Sequence, residues 1–345
     1  MASDPARRRQ AALPLRIIVL GTCLVLANLA IWFWALLLFR QSPVLLGNAL
    51  IAYGFGLRHA VDADHIAAID NVTRQFIQRG KRSLTLGLWF ALGHSTLVVI
   101  ATFGTIVLSH ALQDHLGTWR DIGSVVGTLI SAGFLFILAL TNLLVLRSTW
   151  RTYRKLRDHP EENPDIFEKI SEQNGVLTRF FRPLFRLISK SWHMFFLGFL
   201  FSLGFDTATE VSLLGLSASE ASHGIAVASI MMFPALFAAG MSLVDTADGV
   251  LMTGAYQWAF VDPLRKLRYN IAITLVSALV ALVIGSIEML DLVADRFNLR
   301  GKLWNIAASL GEHFNTLGLI IIGMFVLACA GSALLYRYGK NKQPV

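Results

Sequence analysis

"GLRHAVDADHIAAIDN", residues 56–71, sets Arg58, His59, Asp62, Asp64, His65 and Asp70 in a run that otherwise reads as apolar helix. What those six groups mean depends on the solvent around them. Of the chain's 345 residues, 55% are hydrophobic and only 15% charged, and the mean hydropathy is +0.59. A soluble domain has about a quarter of its residues charged. Runs of about 20 apolar residues, long enough to span a hydrocarbon core, recur along the chain. The fold class read from this is an all-α polytopic membrane protein.

Eight spans are expected, at about residues 17–39, 44–70, 84–108, 122–146, 195–216, 225–257, 271–290 and 316–336. The sixth is long enough to be tilted, or kinked at Pro234. Lys and Arg collect on the cytoplasmic side of membrane proteins. Of the 30 basic residues, five (Arg40, Arg120, Arg296, Arg300 and Lys302) fall on one face, Arg58 falls inside span 2, and 24 fall on the face that holds both termini. Both termini are therefore predicted to be cytoplasmic, and the net charge of +8 is explained by topology without a nucleic-acid partner. The N-terminal "ARRRQ" precedes an apolar run of about 23 residues, a membrane span and not the shorter core of a cleaved signal. The only cysteines, Cys23 and Cys329, fall in the first and last spans, which argues against a disulfide framework or a thiolate metal site.

Residues 147–192 form the one long loop, expected on the cytoplasmic side, with basic, aromatic-bearing ends suited to anionic headgroups. It separates an N-terminal membrane half, 1–146, from a C-terminal half, 193–345. The outer loop 291–315 has room for a short interfacial helix with Trp304 near the headgroups. An imperfect echo links "LGFDTATEV" (203–211) with "SLVDTADGV" (242–250), and "LGHST" with "AGMSL", where small residues surround a Ser. These echoes suggest a 4+4 repeat, as some transporters have.

Charge inside hydrocarbon is costly unless it faces the bundle interior and finds partners. The candidates are His59, Asp62, Asp64, His65 and Asp70 in span 2, His94 in span 3, Asp206 and Glu210 in span 5, and Asp245 and Asp248 in span 6. If span 2 is one continuous helix with His59 at 0°, Asp62 falls near about 300°, His65 near about 240° and Asp70 near about 20°. Asp64, near about 140°, points away. His59, Asp62 and His65 thus form a proposed metal-binding face, with Arg58 and Asp64 in support. Asp206 and Glu210 share a helix face beside Thr207, and Asp245 and Asp248 lie three apart. Plainer roles stand beside these. A lone His94 also fits a hydrogen bond across helices, Met241 fits packing, and Asp70, next to Asn71 and Thr73, fits a cap at the inner end of span 2.

Imidazole with carboxylate and no thiolate suits nickel, cobalt, zinc or manganese and disfavours copper(I), calcium and magnesium. The expected partners are a divalent transition-metal ion, as substrate rather than cofactor, and membrane lipid. Because an unperturbed histidine titrates near about 6.5, metal and proton would compete.

These stretches resemble the nickel/cobalt transporter family and, within it, the HoxN-type high-affinity nickel permeases. "RHAVDADHI" (58–66) matches the family signature in full, and "LGHSTLVV" (92–99), "LGFDTATE" (203–210) and "GMSLVDTADG" (240–249) follow in order. The resemblance implies an eight-span permease that takes up nickel, with cobalt as a second substrate, across the cytoplasmic (inner) membrane, without enzymatic activity or a cofactor. It implies that uptake depends on His59, Asp62, Asp64 and His65, with His94, Asp206, Thr207, Glu210, Asp245 and Asp248 in the further motifs. Two rivals remain: a proton-coupled carrier or channel for another divalent cation, and an intramembrane metalloenzyme. The second is disfavoured because such enzymes use His-Glu-x-x-His, and here the histidines are six apart with no Glu between them.

Overall fold

The computed structural model describes residues 13–108, 113–158, 188–204, 208–258, 263–324 and 327. Every regular element among them is helical: α1 (Leu13–Phe39), α2 (Pro43–His59), α3 (Ala63–Gln78), α4 (Leu86–Leu108), α5 (Gln113–Asp158), α6 (His193–Phe201), α7 (Ala208–Ser222), α8 (Val227–Ile230), α9 (Met232–Trp258), α10 (Pro263–Phe297), α11 (Lys302–Glu312) and α12 (Phe314–Met324). A short 3-10 turn, Ser202–Gly204, follows α6. Five stretches are long and apolar enough to cross a membrane: Leu15–Phe39, Leu86–Val107, Ser124–Arg151, Val227–Gly254 and Ile271–Phe297. Counting α2 with α3 and α11 with α12 as one interrupted span each makes seven. The expected span at 195–216 appears as α6, the 3-10 turn and α7, while residues 205–207 and the end of the last expected span lie outside the described residues.

The structure differs from the sequence reading where local chemistry interrupts or extends a helix. Span 2 is not continuous: α2 starts at Pro43 behind Ser42, whose hydroxyl accepts from the Leu45 N–H, and ends at His59. Asp62 is extended (φ −62°, ψ 144°) and opens α3 as its N-cap. Bearings projected from His59 therefore do not carry past residue 60. Asp70 is not a terminal cap either, because α3 runs on to Gln78. The kink expected at Pro234 appears as a break at Met231, between α8 and α9. Proline has no N–H to give the carbonyl four residues back, here Ile230. Helix α5 continues beyond the expected span end to Asp158, through the basic start of the central loop.

The described residues cluster into two compact units. The first draws on Met1–Val61, Leu84–Gly127 and Met194–Val250, the second on Asp62–Ser83, Thr128–His193 and Leu251–Val345. The first unit has a core of Phe39, Ala52, Leu213, Ile230, Phe233, Phe237 and Met241. Its helices meet through small residues, which let backbones approach when lipid supplies no hydrophobic drive. A Cβ on Gly56 would overlap the Phe237 carbonyl between α2 and α9, and one on Gly87 would overlap the Asp245 carbonyl between α4 and α9. Gly93 and Gly198 do the same between α4 and α6, against the carbonyls of Phe195 and Phe90. Helix α1 leaves Leu15, Ile18, Val25, Leu29, Phe33 and Trp34 exposed, as suits a helix whose solvent is lipid.

The second unit packs Ile66, Ala67, Leu135, Ala139, Ile273, Ala281 and Ile284 around a buried polar ladder. Arg74 Nη1 donates to Thr274 Oγ1 at 2.9 Å, and Ser277 Oγ donates to Asp70 Oδ2 at 3.0 Å. Residues four apart on α3 thus meet residues three apart on α10. Arg74 Nη2 also reaches Asn71 Oδ1 at 3.4 Å, and Asn71 is held by the Ala67 carbonyl and by Asn142 of α5. Arg74, counted from sequence among the basic residues on the face of both termini, is buried at 2% exposed. The helix expected in the outer loop is α11, with Leu303 and Ile306 exposed and Ala307 buried.

Candidate metal site

In the first unit three helices bring polar atoms to one spot. His59 is the last residue of α2, His94 lies in α4, and Glu210 lies in the first turn of α7. His59 Nε2 is 2.9 Å from His94 Nε2, His94 Nε2 is 2.9 Å from Glu210 Oε1, and His59 Nε2 is 4.0 Å from that oxygen. All three residues are at most 2% exposed. The Phe237 ring lies 5.6 Å from the His59 ring and Phe90 lies 6.2 Å from His94, so the walls are aromatic. Ser202 Oγ donates to Glu210 Oε1 at 3.2 Å. The Gly93–Gly198 contact holds α4 against α6, and a Cβ on Gly198 would also come within 3.1 Å of the His94 backbone nitrogen.

The three atoms suit a cation better than a proton. A ring nitrogen holds either one hydrogen or one lone pair, so His94 Nε2 cannot give a separate linear hydrogen bond to each of its two neighbours. A point equidistant from the three atoms lies about 2.0 Å from each, the usual distance between imidazole nitrogen and a divalent metal such as zinc. Seen from that point, His59 and Glu210 are nearly opposite and His94 stands near a right angle to both. Imidazole nitrogens with a carboxylate oxygen and no thiolate suit a divalent transition metal such as nickel, cobalt or zinc.

The other residues singled out from sequence are distributed as follows. Asp245 and Asp248 are buried on α9 in the same unit. Arg58 does not turn into the bundle: it is exposed in the last turn of α2, where a cation complements the negative helix end. Asp62, Asp64 and His65 open α3 in the second unit. His65 is fully buried, Asp62 accepts a 2.6 Å hydrogen bond from Asn315 Nδ2, and Asp64 is half-buried with Oδ1 lacking a hydrogen-bond partner. Asp206 and Thr207 lie outside the described residues. Sequence reasoning missed Ser202, Asn315 and the Asn71–Arg74–Thr274–Ser277 ladder. Ser202 had a faint signal, two helical turns before Glu210; Asn315 had none, lying 253 residues from its partner.

An all-helical membrane protein that aims two imidazoles and a carboxylate at one buried point is a membrane protein for a divalent metal ion. More specifically, the chain belongs to the NicO family, described as high-affinity nickel-transport protein, whose pattern matches residues 45–335. The family is one of transport proteins, not enzymes. Over 322 residues the chain is 53% identical to a high-affinity nickel transport protein of Cupriavidus necator, covering 93% of this chain and 92% of that one. It is 50% identical over 314 residues to the hydrogenase nickel incorporation protein HupN of Bradyrhizobium diazoefficiens, covering 91% and 82%. It is also 40% identical over 304 residues to the cobalt transport protein NhlF of Rhodococcus rhodochrous, covering 87% and 85%. No solved structure matches the chain.

Proposed function

We propose that this chain imports nickel, with cobalt as a second substrate, as a secondary transporter of the cytoplasmic membrane working at low external metal concentration. The observation that carries this reading is the set of His59 Nε2, His94 Nε2 and Glu210 Oε1, spaced 2.9, 2.9 and 4.0 Å apart in a buried, aromatic-walled position. Neutral imidazoles and one carboxylate supply three donors and one compensating charge to a dication, which keeps room for further ligands. The relatives named for nickel and for cobalt support this choice of metals.

In this reading the intact signature "RHAVDADHI" also makes uptake depend on Asp62 and His65, with Asp64 stabilising the start of α3 as a first-turn acid. Asp206, Thr207, Asp245 and Asp248 pass the ion on. Eight spans with both termini cytoplasmic, and a 4+4 repeat of 1–146 and 193–345 about the stretch 147–192, complete the proposal. Its support is the placement of 24 of the 30 basic residues on one face and the apolar runs themselves.

The test is uptake of radioactive nickel and cobalt, each at trace level with the other as competitor, by cells expressing the chain. Nickel accumulation above vector controls, reduced by cobalt, is expected. Accumulation equal to the controls for both metals would overturn the proposal.

A further inference from the structure

An aspartate at a helix N-cap ordinarily bonds to the open N–H groups of the first turn. Asp62 has the cap backbone conformation on α3, yet its side chain makes no capping bond. The carboxylate is turned elsewhere: Asp62 is only 4% exposed and its Oδ1 accepts the 2.6 Å bond from Asn315 Nδ2. Both residues belong to the second unit.

A defined elbow delivers Asn315. Helix α11 packs along α10 at Gly311, where a Cβ would stand 3.1 Å from Asp291 Oδ2. It ends at His313, whose backbone N–H reaches the Leu310 carbonyl at 3.1 Å. Helix α12 then leaves at 74°, its first turn fastened by the Leu317 N–H on the His313 carbonyl. Asn315 sits in that turn, fixed by backbone at the bend.

We propose that Asn315 is a positioning residue for the Asp62 carboxylate, drawing it off the α3 N-terminus and fixing its orientation toward a divalent cation. This rests on the transport reading above. An amide N–H leaves the carboxylate its charge, and each carboxylate oxygen carries two lone pairs, so a hydrogen bond on one oxygen is compatible with metal on the group. Carboxylates that bind metal are themselves commonly hydrogen-bonded, and losing such a partner costs about 10–100-fold in metal affinity.

The experiment compares the full-length parent with N315L, which keeps bulk but has no donor, and N315S, which keeps a donor of shorter reach. Three readouts are taken: the amount of protein in the membrane, the half-saturating concentration and maximal rate of nickel uptake, and the Kd of the purified chain for nickel and for cobalt. N315L is expected to reach the membrane like the parent while its half-saturating nickel and its Kd rise about 10–100-fold, and N315S is expected to recover part of the loss. A parental Kd in N315L overturns the proposal. So does a fall in membrane amount and maximal rate at unchanged half-saturation, which marks a packing role. If the parent binds and takes up cobalt alone, the nickel reading fails while Asn315 is judged on the cobalt Kd. If the parent binds neither metal, both fall.

Discussion

His59 and His94 meet nitrogen to nitrogen, Nε2 to Nε2 at 2.9 Å, from α2 and α4, 35 residues apart in the chain. Two neutral rings hold that distance with one proton between them. Glu210 Oε1, 2.9 Å from the same His94 nitrogen, also accepts from Ser202. In the transport reading proposed above, a metal ion is one acceptor for the three lone pairs.

Replacing a member of this set should therefore abolish high-affinity uptake without unfolding the protein. H59A, H94A and E210Q are expected to raise the half-saturating nickel concentration more than the roughly 10–100-fold that loss of an outer partner costs. Immunoblots of membranes control for amount, and parental uptake by a confirmed H94A would remove His94 from the site.

Ser202 should have a smaller and separable effect. Its hydroxyl donates to Glu210 Oε1 at 3.2 Å, a long hydrogen bond to a carboxylate, and losing it is worth about 1 kcal/mol, or about fivefold in affinity. S202A is expected to shift half-saturation by that factor with the maximal rate little changed, and S202T, which keeps the hydroxyl, should recover it. If S202A and S202T behave alike, the hydroxyl has no part in holding Glu210.

Metal binds a ring nitrogen that carries no proton, so in the proposed reading nickel and protons compete for His59 and His94. Uptake of trace nickel is expected to fall as the external pH is lowered, and saturating nickel should restore it. Proton coupling is a further step, tested with an ionophore that collapses the proton gradient while external pH is clamped. Unchanged uptake under that treatment would exclude it.

The Gly93–Gly198 contact offers a structural prediction. A methyl on either glycine would overlap a carbonyl oxygen of the facing backbone, Phe195 or Phe90, and backbone cannot rotate aside as a side chain does. G93A and G198A are expected to cost about 1–3 kcal/mol or more and to push His94 away from Glu210. Melting of the purified protein in detergent should drop for both, whereas G54A, where a Cβ meets nothing within 4 Å, should melt like the parent.

Burying charge in lipid is costly, so the sequence marks His59, His94 and Glu210 among its ionisable residues within spans, but it put the metal face on His59, Asp62 and His65 and left His94 and Glu210 in support. The helical class was legible for the same reason. The break after His59 was not. Ala60 and Val61 carry no breaking signal, and only the backbone of Asp62 shows that one helix stops and another starts there. Pairings across long sequence gaps were also hidden, as with Asn315 and Asp62, or Thr274 and Arg74, because no local pattern encodes them. The burial of Arg74 was hidden as well, because counting positive charge assigns a residue to a side of the membrane and says nothing of whether it packs among helices there.

Arg74 supplies the last prediction, since its burial makes it sensitive in a way an exposed arginine is not. Its guanidinium bonds Thr274 Oγ1 at 2.9 Å and reaches Asn71 Oδ1 at 3.4 Å, while Asp70 one turn earlier takes the Ser277 hydroxyl at 3.0 Å. Truncating Arg74 leaves the buried Thr274 Oγ1 without that donor and opens a cavity, at a cost of about 2–5 kcal/mol. T274V removes only a neutral hydrogen bond, worth about 1 kcal/mol. R74A is thus expected to lower the amount of protein in the membrane and its melting temperature sharply, T274V only slightly. The arginine acts on stability and not on the metal, so R74A protein that does reach the membrane should keep a near-parental half-saturating nickel concentration. An R74A variant as abundant and as heat-stable as the parent would show that the ladder does not hold α3 against α10.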